Sequence, residues 1–239
     1  GDQRAGHLAH RFQCRILRRA AELAHLPFDV FQHHNGIVHH DADRQHHGEQ
    51  RQRIDREAGG GHVHWWVFEP NEIHKTLAES IGLNEGRTTL QMRVALPLHE
   101  TTDIVTTPFR SGADDERWLA VNNAAFADHL EQGGWTQSTL DSRKQEPWFN
   151  PNGFLLLNEG DKLAGFCWTK VHLDTSPVLG EIYVIAVHPR FSGKGLGRAL
   201  TIAGLTHLQR AGISTGMLHV DADNERAVKL YMSLGFTIT

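Results

Sequence analysis

Lysine is absent from the first 61 residues of this 239-residue chain, and cysteine and tyrosine occur twice each. No apolar run reaches the ~20 residues that a membrane helix needs, which excludes an integral membrane protein. Cys14 and Cys167 are too few and too far apart for a disulfide framework, which favours a reducing cytoplasm. The 24 basic side chains fall short of the 28 acidic ones, giving a net charge of −4. That balance argues against nucleic acid as a partner. No apolar h-region opens the chain, so no secretory leader is expected. What remains is a soluble globular protein with enough apolar residues for a core.

Histidine is the abundant residue: eleven of the 18 fall before residue 65, with pairs at 33–34, 39–40 and 46–47. Imidazole is a common metal ligand. Here the adjacent pairs diverge, no cysteine joins them and no helical i, i+4 face gathers them, so no metal site is expected. Nine arginines and the run Gly59-Gly60-Gly61 complete this head. Phe12–Phe31 predicts a short amphipathic helix ending before Pro27, and residues 45–57 read as solvated helix or disorder. Residues 1–61 are thus expected to be an unrelated, poorly ordered His/Arg-rich segment, of a composition that an unintended reading frame of GC-rich DNA would give.

From His62 the texture changes. Residues 62–68 and 89–96 predict strands, and residues 71–81 a helix capped by Asn71 and stopped by Gly82. The stretch Pro97–Thr107, with its proline and threonines and no periodicity, reads as a linker, placed at 99–107 between the two repeats. Residues 108–239 alternate between helix and strand: a helix over 116–126 offering Trp118, Leu119, Val121 and Phe126 to a core, paired strands at 154–157 and 163–171, a β-rich run at 181–187, a helix over 196–211, a strand at 217–220 and a helix over 224–234. A shift of 153 residues superposes Val67…Asn71-Glu72 on Val220…Asn224-Glu225, Leu77 on Leu230, Ile81 on Leu234 and Gly82 on Gly235. That periodicity predicts two copies of one domain type.

The segment His188-Pro189-Arg190-Phe191-Ser192-Gly193-Lys194-Gly195-Leu196-Gly197-Arg198 leads from a strand through a glycine loop into a helix. Glycines let backbone amides approach an anion, and the helix N-terminus adds partial positive charge, to which Lys194 and Arg198 contribute. This is the chemistry of a pyrophosphate site. The spacing fits neither a Walker loop nor a dinucleotide fingerprint.

Arg190-x-x-Gly193-x-Gly195 after a strand, followed by Asn224 and by Tyr231-x-x-x-Gly235-Phe236, resembles the GNAT acetyltransferases. Further motifs resemble one tandem branch of that family, the mycothiol synthases: residues 121–126, His129-x-Glu131-Gln132-Gly133-Gly134-Trp135, Glu146-Pro147-Trp148-Phe149, Trp168-Thr169-Lys170-Val171-His172 and Gly180–Val184. The resemblance implies an α/β (α+β type) GNAT fold with a mixed, mostly antiparallel sheet. It also implies that residues 62–98 are the tail of a degenerate first repeat and 108–239 a catalytic repeat lacking its last strand.

The activity so implied is acetyl transfer from acetyl-CoA to the cysteinyl amine of Cys-GlcN-inositol, giving mycothiol, by a cytoplasmic monomer. Glu181 would act as base, through water, and Tyr231 as the acid that protonates the leaving thiolate. The amides of Ile185, Ala186 and Val187 would stabilise the oxyanion. Arg190, Ser192, Gly193, Lys194, Gly195, Leu196, Gly197 and Arg198 would hold the pyrophosphate, with Asn224 and Lys229 flanking the coenzyme. Glu131, Lys170, Glu181 and His219 would contact the acceptor, His219 standing where the family usually has tyrosine. Two other readings use the same residues: a GNAT enzyme for another small amine, and an acetyl-CoA-binding domain without turnover.

Overall fold

The computed structural model describes residues 10–18, 36–38, 50–57, 60–68, 70–129 and 132–239. The chain forms two compact units. One comprises Gly1–Gln91 with Val220–Val228 and Ile238–Thr239; the other comprises Met92–His219 with Lys229–Thr237.

In the first unit the strands β1 (His10–Arg18), β2 (Gly36–Val38), β3 (Gln50–Glu57), β4 (Gly60–Phe68) and β5 (Asn84–Ala95, up to Gln91) lie in the order β2-β3-β4-β1-β5. β1 pairs antiparallel with β4, Phe12 opposite Val67, and with β5, His10 opposite Leu90. Two expectations are corrected here. His10–Arg18 is a strand, not part of a helix, and Phe12, Cys14 and Ile16 supply the two-residue period that competes with the helical reading. Gln50–Glu57 is likewise a strand, not solvated helix or disorder. It carries little apolar content, but its backbone pairs along β4 from Gln52↔Trp65 to Glu57↔Gly60. The paired histidines at 33–34, 39–40 and 46–47 lie outside the described residues.

The helix α1 (Glu72–Ser80) starts where expected. Asn71 accepts hydrogen bonds from the Ile73 and His74 amides, and His74 Nδ1 accepts from the Asn71 amide, closing a reciprocal cap. The periodicity of 153 is visible in hydrogen bonds. At the end of α1, Gly82 and Leu83 donate to Glu79 and Ala78; 153 residues on, Gly235 and Phe236 donate to Met232 and Tyr231. Gly82 and Gly235 both have positive φ.

The second unit holds the end of β5, then β6 (Thr106–Pro108), α2 (Asp115–Ala125), α3 (Gln137–Lys144), β7 (Phe154–Glu159), β8 (Lys162–His172), β9 (Leu179–Val187), α4 (Leu196–Arg210), β10 (Thr215–Asp221, to His219) and the end of α5 (Glu225–Ser233). The strand order is β10-β9-β8-β7-β6; β9 and β10 are parallel and the other pairs antiparallel. The stretch read as a linker thus contributes β6, and a short strand β11 (Thr237–Ile238) follows Phe236. α3 was not predicted. Its sequence is polar, with Leu140 its one buried residue, and Thr136 caps it while Lys144 ties it to Asp115 of α2 at 2.6 Å.

One face of this sheet carries α2 and a core of aromatic rings. Phe109, Phe154 and Trp168 stack with centroid spacings of 4.3 Å, and Trp118, fully buried, meets Phe154, Phe166 and Trp168 edge-on. Val121 is buried as predicted, whereas Leu119 and Phe126 are partly buried at the margin. The opposite face is covered by α4, which comes close because Gly204 faces the strands. A Cβ there would stand 2.7 Å from Ile182 Cδ1 and nearer still to Cys167 Sγ. Gly204→Ala should therefore cost about 1–3 kcal/mol and lower Tm by several degrees; an unchanged Tm would show that helix and sheet have slack.

Candidate active site

The ladder between β9 and β10 is short. It runs Gly216↔Gly180, Met217↔Glu181 and Leu218↔Ile182, and ends there. β9 goes on to Val187 along β8 alone. His188 N–H donates to Ala164 O of β8, and amides alternate sides along a strand. The amides of Ile185 and Val187 therefore face the gap beyond the ladder, while that of Ala186 faces β8. Of the three amides expected at an oxyanion, two are so placed.

A bulge shapes the same stretch of β9. Trp168 opposes Val184 and Thr169 opposes Ile182, so Tyr183 is the extra residue. It turns toward the aromatic face with Val184, its ring 4.8 Å from Trp148 and 5.3 Å from Trp168. Burial pushes the Tyr183 hydroxyl up to about 12. Lys170, opposite Glu181 in register, is buried, with Nζ 4.5 Å from the Trp148 ring and 5.6 Å from Tyr183. A surface role for this lysine is excluded. The indole N–H groups of Trp148 and Trp168 are buried, with no hydrogen-bond partner among the described residues.

Glu181 lies at the centre, 4% exposed. Its Oε2 is 2.8 Å from His172 Nε2 on β8, and its Oε1 is 3.1 Å from His219 Nδ1 on β10. Burial alone would raise its pKa. The hydrogen bonds and charge of His172 and His219 outweigh that and hold the carboxyl well below the usual carboxylate range. Such a carboxylate is an anchor for cations and donors; as a terminal proton acceptor it is weak, and this qualifies the expected role of Glu181 as base. Among the described residues no cluster of three or more His, Cys, Asp or Glu side chains forms a metal site.

Tyr231 is buried on α5. Burial, with a smaller contribution from Cys167, pushes its hydroxyl well above the usual value, so it stays protonated. Cys167 belongs to the α4 face of β8, as its approach to Gly204 shows. Tyr231 thus reaches the sheet from the side opposite Glu181.

The glycine loop follows β9. Gly193 and Gly195 adopt positive φ with open space where a Cβ would stand, and Gly195 immediately precedes α4. Arg190, Ser192 and Lys194 are exposed, with Leu196 and Gly197 in the first turn of the helix. Arg198 departs from expectation. Its guanidinium is engaged by Glu100 at 2.6 Å and by Ser233 at 2.7 Å, so its charge is already countered. Asn224 caps α5 through the Ala227 amide, and Lys229 is exposed on that helix. Glu131 lies outside the described residues. Sequence reasoning did not single out His172, Trp148 and Tyr183 for roles here, or Glu100. The alternation Trp168, Lys170, His172 along β8 was a signal for the first of these; Glu100 left none.

A sequence profile of the acetyltransferase (GNAT) family matches residues 118–236. A mycothiol acetyltransferase of Thermomonospora curvata is 43% identical over 207 residues, covering 84% of this chain and 69% of that protein. Its namesake in Streptomyces griseus subsp. griseus is 43% identical, covering 84% and 67%, and that of Thermobispora bispora 45% identical, covering 76% and 64%. The chain therefore spans 64% to 69% of the length of these curated relatives. An 84% match is longer than residues 62–239, so the similarity extends into the His/Arg-rich head, which is not wholly unrelated. Among solved structures, a GCN5-related N-acetyltransferase from Sphaerobacter thermophilus shares the fold, with a TM-score of 0.58 and 22% identity over 80% of this chain and 57% of that one.

The lowered pKa of Glu181 has a thermodynamic sign. Its folded value lies below the unfolded one, so its contribution to stability is present above the unfolded pKa and is lost as pH falls toward the folded value. Glu181→Gln should be less stable than wild type at neutral pH, and the gap should narrow progressively as pH falls below about 4.3. Urea unfolding across that range measures it; a gap independent of pH would show that the imidazoles do not hold a charged carboxylate.

Proposed function

This chain belongs to the mycothiol acetyltransferases of the GNAT family, and from that premise we propose that its second unit transfers an acetyl group from acetyl-CoA to the cysteinyl amine of Cys-GlcN-inositol, giving mycothiol in the cytoplasm. The observation that carries this reading is the gap where the β9–β10 ladder ends, with an anionic centre beside it on one face of the sheet and a buried, protonated tyrosine on the other.

The residues present fit the coenzyme. Gly193 and Gly195 leave a cradle that a Cβ would fill, the α4 N-terminus opens onto it, and Lys194 is exposed beside it. The Ile185 and Val187 amides facing the gap suit a carbonyl oxygen that gains charge. Bound there, acetyl-CoA supplies the activated acyl carbon and a thiolate leaving group. Tyr231, kept protonated by burial, holds the proton that the thiolate needs. Glu181 attracts the acceptor's ammonium, and Lys170 with the Trp148 indole offers donors to a polyhydroxylated body. Glu131 and His219 are proposed to complete the acceptor side, and Asn224 and Lys229 to flank the coenzyme.

Thiol release from acetyl-CoA with Cys-GlcN-inositol as acceptor tests the proposal. Turnover with that amine supports it; turnover only with other amines moves the acceptor, and coenzyme binding without turnover makes the site non-catalytic. Tyr231→Phe should lower kcat by about 10²–10⁴-fold while the KM for acetyl-CoA changes little. Equal losses in both would count against the acid role.

A further inference from the structure

Glu181 has both oxygens engaged, each by an imidazole from a different neighbouring strand. The three side chains differ in access: 5% of Glu181, 10% of His172 and 18% of His219 is exposed. His219 is also the first residue of β10 beyond the end of the ladder, at the edge of the gap. Donation from Nδ1–H to Glu181 places the lone pair of its ring on Nε2, on the edge away from the carboxylate. A carboxylate that fixes the tautomer of an imidazole and steadies its cationic form makes that imidazole the better proton acceptor.

We infer that His219 Nε2 is the proton acceptor of the acetyl transfer in this chain, with Glu181 as the positioning carboxylate and His172 as the anchor of its second oxygen. This rests on the acetyl transfer proposed above and replaces Glu181 as the base. The ammonium of the acceptor gives one proton to Nε2, which frees the nitrogen pair to attack the thioester carbon. The N–C bond forms, the C–S bond breaks with its electron pair on sulfur, and sulfur takes the Tyr231 proton. The second nitrogen proton returns through solvent to Tyr231, and the proton on His219 leaves to solvent, one proton being released per turnover.

The ionisable groups facing Glu181 are His172 and Lys170 from β8, His219 from β10 and Tyr183 from β9; Arg143, in the last turn of α3, and Glu146, just beyond it, act on Tyr183. A neutral-pH limb in kcat is therefore expected to belong to an imidazole. The experiment compares the pH dependence of kcat for wild type, His219→Gln, His219→Asn, His172→Gln and Glu181→Gln. It adds side-chain ¹⁵N NMR of the histidines in the full chain. Both His219 variants should lose about 10²-fold or more in kcat with the acetyl-CoA KM little changed. The neutral limb should vanish, and added imidazole should restore part of the rate. His172→Gln and Glu181→Gln should shift the limb and keep it. The NMR spectrum should show His219 protonated at Nδ1 and not at Nε2, in a way that changes in Glu181→Gln. A limb that survives in both His219 variants, or that vanishes in His172→Gln alone, overturns the inference. If wild type acetylates no amine, the acetyl transfer itself fails, and the spectrum decides the tautomer: an Nε2–H on His219 overturns the inference, and a Glu181-dependent Nδ1–H upholds the positioning it requires.

Discussion

A carboxylate taken out of water costs several kcal/mol unless charge and hydrogen bonds meet it, and Glu181 is met from both sides. His172 comes from the antiparallel neighbour and His219 from the parallel one, so the registers of β8, β9 and β10 are bound to one another by a single side chain. A slip of one residue in either neighbour would send its imidazole to the other face and leave the charge unpaired. The bulge at Tyr183 belongs to the same constraint. It lets β9 present Glu181, Tyr183 and Val184 to the aromatic face while Ile182 still packs against α4.

From this follows a division of labour between the two faces of the sheet. The aromatic face holds the carboxylate, its imidazoles and the lysine above Trp148; the α4 face holds the buried tyrosine beside Cys167. A sheet normally keeps its faces apart. Only where the ladder stops can groups from both sides meet one reacting atom, and that is also where the free amides of Ile185 and Val187 point.

The parts of this arrangement that were legible in the sequence are those set by neighbours in the chain. Asn71 and Asn224 each announce a helix by capping it, Gly82 and Gly235 by ending it, and the glycine loop by its own spacing. What escaped was decided at long range. α3 carries too little apolar pattern to be seen and is held by Lys144 on Asp115. β3 is a strand because β4 lies beside it. Lys170 was singled out, but its burial shows only once β8 is seen to run through the middle of the unit, and the partnership of Glu181 with His219 joins residues 38 apart on strands whose order the sequence does not display.

Glu100 and Arg198 stand 98 positions apart and neutralise each other at the head of α4. With that guanidinium countered, the glycine loop is left with its backbone amides and two exposed cations, Arg190 and Lys194. Backbone dipoles at contact distance are little screened, whereas a long-range field of side-chain cations fades within ~10 Å at 0.1 M salt. The phosphate site proposed above would therefore rest mainly on its backbone amides, and its grip should weaken only modestly as the ionic strength around it rises.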